Sequence, residues 1–445
     1  MWYFWVIYIC IVLCACRSPK RTIIIWMTAR MLANPQMALW YMPPIMSLKM
    51  GVDITLLFIY CIKLSRKPNN VINREPFILN DAIKGMVLTY TLSFVFSRVP
   101  TSVYAVKETI KYYVENIGVL YVLQRCLNTE QDVRLYFRTA VIIAFMISGL
   151  GILESIINDN PVQDLLYEIT PHNEATRDRN YYTPPYLTRS GGLRHRYGMV
   201  RAVSFFNIHI AFGCACVFLL YLLYSVYSHG LVPSDRKRLL LATVLLISGV
   251  IASNSKTPMI GLVILLFGFF KFRSRRMIFP VLFLIAVFLC FPSYLKNYVS
   301  LFDPEVAVEG RGSTIALRMS QMQVAMSLFR MSPIIGSGVG SIHYYNRETD
   351  LAEGILGAES SLMQILPERG ILGLAVYLFI FICLYRRCRD YMARRELKFY
   401  LLSVLTMEIA TGTLDITIWC GVLMAVRRMF QLRQLRVSVQ YEQFH

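Results

Sequence analysis

The sequence predicts an all-α integral membrane protein, and its composition, its apolar segments and its distribution of basic residues support this prediction. Hydrophobic residues make up 56% of the 445 residues and charged residues only 16%, whereas soluble domains carry roughly a quarter charged residues. Apolar segments recur along the whole chain and leave no room for a large soluble domain. We therefore expect one polytopic membrane domain over residues 1–445.

The predicted spans are apolar runs that end at basic residues, prolines or polar connectors. A span needs about 20 helical residues, and residues 51–64 are short by this measure. In order, the runs cover residues 2–16, 22–41, 51–64, 77–97, 107–126, 139–157, 203–228, 239–252, 259–270, 277–291, 371–385 and 399–426. Asp415 indicates that the last run is two short segments, so we expect about 12 or 13 transmembrane helices.

The basic residues predict the orientation of these spans. Alternating the spans across the membrane places the arginine- and lysine-dense loops on one face, together with a tail at 427–445, and this face is the cytoplasmic one. The long polar loops 158–200 and 293–368 then share the outer face with the turn Ser253–Pro258. Polar elements that meet on one side are what a reaction site at the membrane surface requires.

The spacing of apolar residues in the second outer loop predicts an amphipathic helix. Apolar residues at 315, 319, 322, 326 and 329 follow the spacing of one helical stripe. Ser313 can cap the start of this helix, and Pro333 with the glycines that follow it ends the helix. Arg311, Arg318 and Arg330 lie off the stripe, so they can face water or an anionic ligand.

The G-x-G-x-G sequence of Gly336–Gly340 comes next, and it follows no strand. A dinucleotide site is therefore excluded, and we expect a flexible turn or a nest of backbone N–H groups for an anion. Glu359 and Glu368 then bracket a short apolar helix that leads back into the membrane. Glu359 is a candidate base, although a carboxylate at a helix start can also serve only to compensate the helix dipole.

Basic and imidazole side chains of the outer elements are candidates for binding a lipid-linked, phosphate-bearing substrate. The planar guanidinium of arginine makes paired charge-assisted hydrogen bonds with phosphate oxygens. Arg201 is the strongest candidate because it opens RAVSFFNIHIAFG, where the loop enters a span and a charge must be paired or snorkel. The further candidates for substrate binding are Lys256, Arg194, Arg196, Arg311, Arg318 and His343. Solvated loops and snorkelling side chains are the alternative for these residues.

Several blocks of this sequence resemble motifs of the bacterial O-antigen ligase and polysaccharide polymerase superfamily of inner-membrane glycosyltransferases. They are RAVSFFNIHIAFG at 201–213, SPIIGSGVGSIHY at 332–344 and AESSLMQILPERGILGL at 358–374. The resemblance implies an inverting, metal-independent glycosyltransferase without a cofactor, whose sugar donor is carried on undecaprenyl diphosphate. It also implies the bacterial inner membrane as the location, and possible partners in a chain-length regulator and a flippase.

The chain departs from the family motifs at defined positions. Glu359 stands where the ligases carry histidine, Lys256 replaces the arginine of their S-R turn, and Ser204 and Ile208 replace a glycine and a proline. The missing histidine favours a repeat-unit polymerase for O-antigen, capsule or exopolysaccharide over a ligase that transfers glycan to an acceptor. In this interpretation Arg201 and Lys256 bind the diphosphate, and Glu359 is the base or an anchor for these cations.

Other classes of function fit the sequence less well. A transporter or flippase of lipid-linked oligosaccharide should carry ionisable residues mid-span on several helices, and the plausible mid-span acids are Asp53, Glu154, Glu408 and Asp415. The net charge of +19 does not indicate nucleic-acid binding, because most basic residues lie in short loops between spans. The 11 cysteines lie in or beside apolar runs without zinc-site spacing, so neither a disulfide framework nor a metal site is expected.

Overall fold

The structure is a computed structural model, and it describes the chain over a set of residue ranges. These ranges are 2–33, 37–40, 46–64, 76–99, 106, 109–110, 112–169, 195–206, 208–231, 236–269, 282, 286, 289, 292–300, 302–303, 305–306, 315–348, 360–412 and 415–444. The chain forms two compact units. The first comprises Met1–Glu75, Val114–Met259 and Asp415–His445, and the second comprises Pro76–Tyr113 and Ile260–Leu414.

The described residues are almost entirely helical, which confirms the predicted all-α membrane class. In chain order the helices are α1 Trp2–Arg17, α2 Pro19–Ala29, α3 Leu48–Ile59, α4 Asn80–Val95, α5 Val119–Cys126, α6 Glu130–Ile157, α7 Pro161–Ile169, α8 His209–His229, α9 Arg236–Ala252, α10 Lys256–Phe269, α11 Pro292–Val299, α12 Ile315–Met331, α13 Ser341–Glu348, α14 Ser361–Cys388, α15 Arg394–Thr411 and α16 Ile416–Phe444. Shorter helical segments are a 3₁₀ turn at Arg30–Leu32 and π-helical segments at Tyr60–Leu64 and Tyr112–Gly118. The strands β1 Ala38–Trp40 and β2 Met46–Ser47 pair antiparallel, as do β3 His195–Arg196 and β4 Met199–Val200.

Among the described helices, three are long and apolar enough to cross a membrane, namely α6, α8 and α14. They contain 28, 21 and 28 residues, against about 20 that a bilayer core requires. The predicted break in the last apolar run is confirmed, because α15 ends at Thr411, α16 begins at Ile416, and Asp415 lies between them. The predicted total of about 12 or 13 spans stays a prediction.

Close helix packing holds the first unit together. α8 packs against α9 and α16, and α6 packs against α2 and α9. Glycine also permits α6 to approach α8 closely, since a Cβ atom on Gly151 would lie 2.3 Å from the ring of Phe212. Small residues at helix interfaces are the usual means by which membrane helices approach one another.

A buried ion pair links the N-terminal helices of the first unit. Arg30 Nη2 lies 2.9 Å from Asp53 Oδ2, and both side chains are fully buried. Trp26 Nε1 donates to the other carboxylate oxygen at 2.7 Å, and Arg30 Nη1 donates to the carbonyl of Glu115. Breaking such a pair by removing one partner costs about 3–5 kcal/mol, because the other charge is left uncompensated. Asp53 is predicted from the sequence as a mid-span acid, whereas its partner Arg30 is not predicted.

The second unit is arranged around α14, which packs against α4, α12, α13 and α15. Pro367 lies inside α14, and Gly370 has φ 63° and ψ −162°, so the helix is sharply bent there. Proline removes a backbone donor, and only glycine adopts this backbone conformation without steric cost. The bend brings the backbone at Gly370 onto the segment between α12 and α13, which contains the glycine turn.

Helix α12 confirms the predicted boundaries, but its packed face differs from the predicted stripe. Ala325 and Leu328 are buried in a cluster with Val99 and Met363, whereas Ile315 and Met319 of the predicted stripe are 44% and 62% exposed. Membrane-protein helices pack through small residues, and larger apolar side chains can face lipid. Hydrophobic periodicity alone therefore located the helix correctly, and the stripe itself is divided between exposed residues and Met322, which packs against the cluster.

Candidate functional site

The first candidate region is the arginine turn, residues 200–204, which connects β4 to the segment before α8. Helix α6 ends at Asn158, whose φ of 57° turns the chain out of the helix. The Oδ1 atom of Asn158 accepts a hydrogen bond from Val200 N at 2.8 Å, and its carbonyl oxygen lies 2.8 Å from His195 Nε2. These contacts fasten the β3–β4 hairpin to the end of α6 and so fix where the arginine turn begins.

A buried carboxylate organises the arginine turn. Glu154 in the last turn of α6 is fully buried, and its Oε2 atom accepts hydrogen bonds from Val203 N and Ser204 N, both at 2.8 Å. Ser204 has φ 53°, the left-handed conformation that favours glycine. Hydrogen bonds to an ionised acceptor are about twice as strong as neutral ones. Glu154 is therefore a structural anchor for this turn, a role that the sequence analysis did not assign to it.

Arg201 is buried inside this turn, with 7% of the residue exposed. Its Nη2 atom contacts His209 Nε2 at the start of α8, and His209 is 1% exposed. A guanidinium can only donate, so His209 Nε2 is the acceptor in this contact. From the sequence alone a packing role is favoured for His209, because a lone histidine is more often a packing residue than a catalyst.

The turn Ser253–Pro258, which we call the Lys256 turn, adjoins the arginine turn within the first unit. Ala202 N donates to Ala252 O at 3.1 Å. A Cβ atom on Gly213 would lie 2.7 Å from Ser253 Oγ and 2.6 Å from the Pro258 ring. Ser253, Asn254 and Ser255 are buried, and half-buried Lys256 begins α10. The structure thus brings together the sequence segments that carry Arg201 and Lys256, which lie far apart along the chain.

The second candidate region is the glycine turn, Gly336–Gly340, in the second unit. The N–H groups of Gly336, Ser337, Gly338 and Gly340 already have protein acceptors. Gly336, Ser337 and Gly338 donate to the carbonyl oxygens of Ser332, Pro367 and Glu368 at 3.0, 2.7 and 3.2 Å, and Gly340 donates to Glu368 Oε1 at 3.0 Å. The expected turn is confirmed, and the anion-nest hypothesis is wrong because these donors are used by the protein.

Glu368 and Gly370 connect the glycine turn to the bend of α14. The carbonyl of Glu368 also accepts a hydrogen bond from Ser93 Oγ on α4 at 2.6 Å. A Cβ atom on Gly370 would lie 2.4 Å from Ile334 O, and one on Gly338 would lie 2.2 Å from Ser97 Oγ. Close contacts of this kind leave no space for a side chain, so glycine is required at both positions.

A cationic and aromatic cluster follows directly after Glu368. The guanidinium carbon of Arg369 lies 4.7 Å from the centre of the Tyr90 ring, within the range of a cation–π interaction. Tyr90 is stacked on Tyr112 with ring centres 4.7 Å apart, and Tyr113 meets Tyr90 edge-on at 5.7 Å. The sequence analysis missed this cluster, because its members come from α4, α14 and the π-helical segment.

The start of α14 is fixed to the end of α15. Ser360 and Ser361 are 5% and 4% exposed, and Ser361 Oγ donates to the carbonyl of Glu408 at 2.5 Å. Arg318 on α12 donates to Ala410 O at 3.4 Å, so it too reaches the last turn of α15. Of the predicted binding residues in the second unit, Arg318 is the one whose side chain the structure describes.

The structure describes only the backbone of some of the remaining predicted site residues, and it does not describe the others. Glu359, Arg194 and Arg311 lie outside the described residues. The backbone of Arg196 lies in β3 and that of His343 in α13. The roles predicted for these residues stay predictions.

The predicted mid-span acids have protein partners in the structure. Asp53 pairs with Arg30, and Asp415 pairs with Lys49. Glu154 accepts from the backbone of the arginine turn. Glu408 is 6% exposed and lies in α15, whose backbone holds Ser361. Each of the first three carboxylates thus has a structural function.

The fold and these contacts define an all-α membrane protein with polar, buried turns beside its long helices. A model of the O-antigen ligase family matches residues 241–378. This match supports the resemblance to the O-antigen ligase and polysaccharide polymerase superfamily that the motifs predicted. The matched segment contains the Lys256 turn, the glycine turn and the bend of α14, and it ends inside α14. No curated protein matches the chain.

The family match supports a class of activity. This class is a ligase- or polymerase-type glycosyltransferase activity on a lipid-linked oligosaccharide. The arginine turn at 200–204 precedes the matched segment, so the family match and the contacts of Arg201 are independent observations.

Proposed function

We propose that this chain is a polymerase that joins undecaprenyl-diphosphate-linked oligosaccharide repeat units into a surface polysaccharide, either O-antigen, capsule or exopolysaccharide. It would act as a multi-pass protein of the bacterial inner membrane, with its reaction site on the outer face. The observation that carries this proposal is the buried Arg201, held beside the Lys256 turn of the segment that matches the O-antigen ligase family.

The proposed reaction is inverting glycosyl transfer without a metal. An acceptor hydroxyl attacks the anomeric carbon of the donor sugar, a new glycosidic C–O bond forms, and the C–O bond to the diphosphate breaks. The leaving diphosphate gains negative charge in the transition state, and positioned cations that meet this charge lower the barrier. Arg201 and Lys256 would be these cations, in the place that a metal ion takes in other enzymes.

Preorganisation supports Arg201 in this role. An electrostatic group is most effective when it is already fixed in a site that excludes water. Arg201 is 7% exposed and contacts His209, and the turn that carries it is anchored by two hydrogen bonds to Glu154. A solvated loop arginine, which was the alternative interpretation, would have neither the burial nor the anchored backbone.

The proton released by the acceptor hydroxyl requires a base, and we assign this role to Glu359. The neighbouring residues Ser360 and Ser361 are buried, and Ser361 is hydrogen-bonded to α15. Arg194, Arg196, Arg311, Arg318 and His343 would bind the sugar–diphosphate substrate. The competing role for Glu359 is an anchor that orients the cations, with His343 or no residue as the base.

Substitution of Glu359 separates these two roles. If Glu359 is the base, Glu359→Gln folds normally, still binds donor and makes no polymer, because the amide cannot accept the proton. Glu359→His, which restores the residue of the family's ligases, retains some activity with a shifted pH profile. Polymer synthesis, donor binding and melting temperature are measured in parallel. Near wild-type turnover of Glu359→Gln across pH would show that the residue is not the base.

A ligase is the second candidate, because the matching family model describes an O-antigen ligase. Deletion of the gene distinguishes the two functions when surface polysaccharide is sized on a gel. Loss of a polymerase leaves single repeat units attached to the normal acceptor, whereas loss of a ligase leaves long polymer on the carrier lipid. If deletion changes neither the polysaccharide on the acceptor nor the polysaccharide on the carrier lipid, both functions are excluded.

A transporter or flippase is less well supported. The mid-span acids that such a function would require include Asp53, Asp415 and Glu154, and these have cationic or backbone partners. A chain-length regulator and a flippase remain proposed partners of the polymerase.

A further inference from the structure

We propose that the C-terminal end of α14 carries a binding site for the head group of an anionic phospholipid. An open pocket of about 400 Å³ lies there, in the second unit. Its lining, which we call the arginine pocket, consists of Asp81, Phe379, Cys383, Arg386, Arg387 and Arg389. Asp81 comes from the first turn of α4, and the other residues come from the last turns of α14 or directly after it.

The charges of the arginine pocket favour an anion. Arg387 Nη2 donates to Asp81 Oδ2 at 2.7 Å, which fixes this arginine against α4. Arg389 makes a longer contact of 3.5 Å with its neighbour Asp390. Arg386 is exposed and has no ion-pair partner among the described residues. Arg386 and Arg389 therefore keep donors for a ligand, and guanidinium groups match the geometry of a phosphodiester.

The apolar surroundings favour a lipid over a free phosphate ion. Phe379 lines the pocket and is 38% exposed, and its neighbours Leu378 and Ile382 on α14 are 40% and 53% exposed. These residues belong to one of the helices that are long and apolar enough to cross a membrane. A head group in the pocket would place its acyl chains along this exposed apolar surface. Basic pockets between helices at a membrane surface are known to bind anionic lipid head groups.

The arginine pocket is separate from the glycine turn, the candidate region of the second unit. Residues 370 and 386 lie about 24 Å apart along α14, given a rise of 1.5 Å per residue. The glycine turn contacts the helix at Gly370, and the pocket lies near Arg386. The arginine pocket shares no residue with the residues proposed for glycosyl transfer, so the two proposals can fail separately.

The test uses the purified full chain in neutral detergent, with phosphatidylglycerol as the probe. A ligand that binds the folded protein raises its melting temperature by mass action. We expect phosphatidylglycerol to raise the melting temperature, phosphatidylcholine to leave it nearly unchanged, and glycerol phosphate to have no effect at equal concentration. Native mass spectrometry should show retained phosphatidylglycerol.

Substitutions assign the binding to the arginine pocket. Arg386→Gln combined with Arg389→Gln should weaken the apparent affinity for phosphatidylglycerol at least 10-fold, and Arg386→Gln alone serves if the double variant does not fold. The matched control is Arg394→Gln with Lys398→Gln, at the start of α15 and outside the pocket. The proposal is overturned if the control loses as much affinity, if phosphatidylcholine stabilises equally, or if glycerol phosphate replaces the lipid.

Discussion

The arginine turn of the first unit and the glycine turn of the second both need left-handed backbone, and they obtain it in different ways. In the glycine turn Gly336, Gly338 and Gly340 have φ values of 78°, 115° and 81°, and side chains are absent where another part of the chain approaches. In the arginine turn a serine takes φ 53°, and a buried carboxylate holds the turn through its N–H groups.

The difference shows what each turn is sensitive to. The glycine turn depends on the absence of side chains where another part of the chain approaches, so an added side chain should disrupt it. The arginine turn depends on a hydrogen-bond acceptor, so it should tolerate changes of volume and fail when the acceptor is removed.

The largest effect is expected for Gly370→Ala in the bend of α14. The new Cβ atom would lie 2.4 Å from Ile334 O and 2.7 Å from Gly336 N, both of them backbone atoms that cannot rotate away. Left-handed backbone with a side chain costs about 1–2 kcal/mol, and overpacking adds about 1–3 kcal/mol. We expect a strongly lowered melting temperature in detergent and little folded protein.

Gly198→Ala is the matched control, because Gly198 has φ 79° and a Cβ atom added there would have nothing within 4 Å. The Gly198→Ala substitution should cost only the free energy of placing a side chain on left-handed backbone, about 1–2 kcal/mol. Equal destabilisation by the two substitutions would show that steric exclusion at the bend of α14 is unimportant.

The next effect is expected for Glu154→Ala. Two buried N–H groups, those of Val203 and Ser204, lose their acceptor, and each unsatisfied group costs about 1–3 kcal/mol. We expect a lower melting temperature and loss of polymer synthesis, since the turn that carries Arg201 is released.

Glu154→Gln provides the comparison, since an amide oxygen has two lone pairs and can still accept both hydrogen bonds. It should lose only about 1 kcal/mol, from the charge-assisted part of the interaction, and it should retain most polymer synthesis. If glutamine proved as damaging as alanine in both assays, the negative charge and not the hydrogen bonding would be the function of Glu154.

The smallest effect is expected for Ser204→Gly, which restores the glycine of the family motif. Glycine adopts φ 53° without the steric cost that serine bears, so we expect stabilisation by about 1 kcal/mol. Melting temperature and polymer synthesis would be measured, and synthesis should be unchanged. Destabilisation by this substitution would mean that the serine hydroxyl has a structural role.

Features with a local cause could be predicted from the sequence. The boundaries of α12 follow from a run of apolar residues that ends before Pro333, and the break between α15 and α16 follows from Asp415 inside an apolar run. The glycine turn follows from closely spaced glycines. In each case the residues that determine the structure are the residues that adopt it.

Features that depend on distant partners could not be predicted. Glu154 binds backbone groups that follow it by 49 and 50 residues, and nothing near Glu154 in the sequence specifies them. The Arg30–Asp53 pair was missed because Arg30 lies inside an apolar segment with no local indication of a carboxylate partner. The glycine turn was considered as an anion nest because its sequence does not reveal that Glu368 uses its donors.

We propose that Arg201 stabilises the diphosphate that leaves during glycosyl transfer, and an assay of the purified protein can test this claim. Purified wild type, Arg201→Ala and Arg201→Lys are incubated with an undecaprenyl-diphosphate-linked oligosaccharide, with and without a chelator, and the products are sized on a gel. Arg330→Ala is the control, because Arg330 is an exposed arginine of α12. We expect no polymer from Arg201→Ala, partial synthesis by Arg201→Lys, full synthesis by the control, and no effect of the chelator. Wild-type polymer from folded Arg201→Ala protein would contradict the claim.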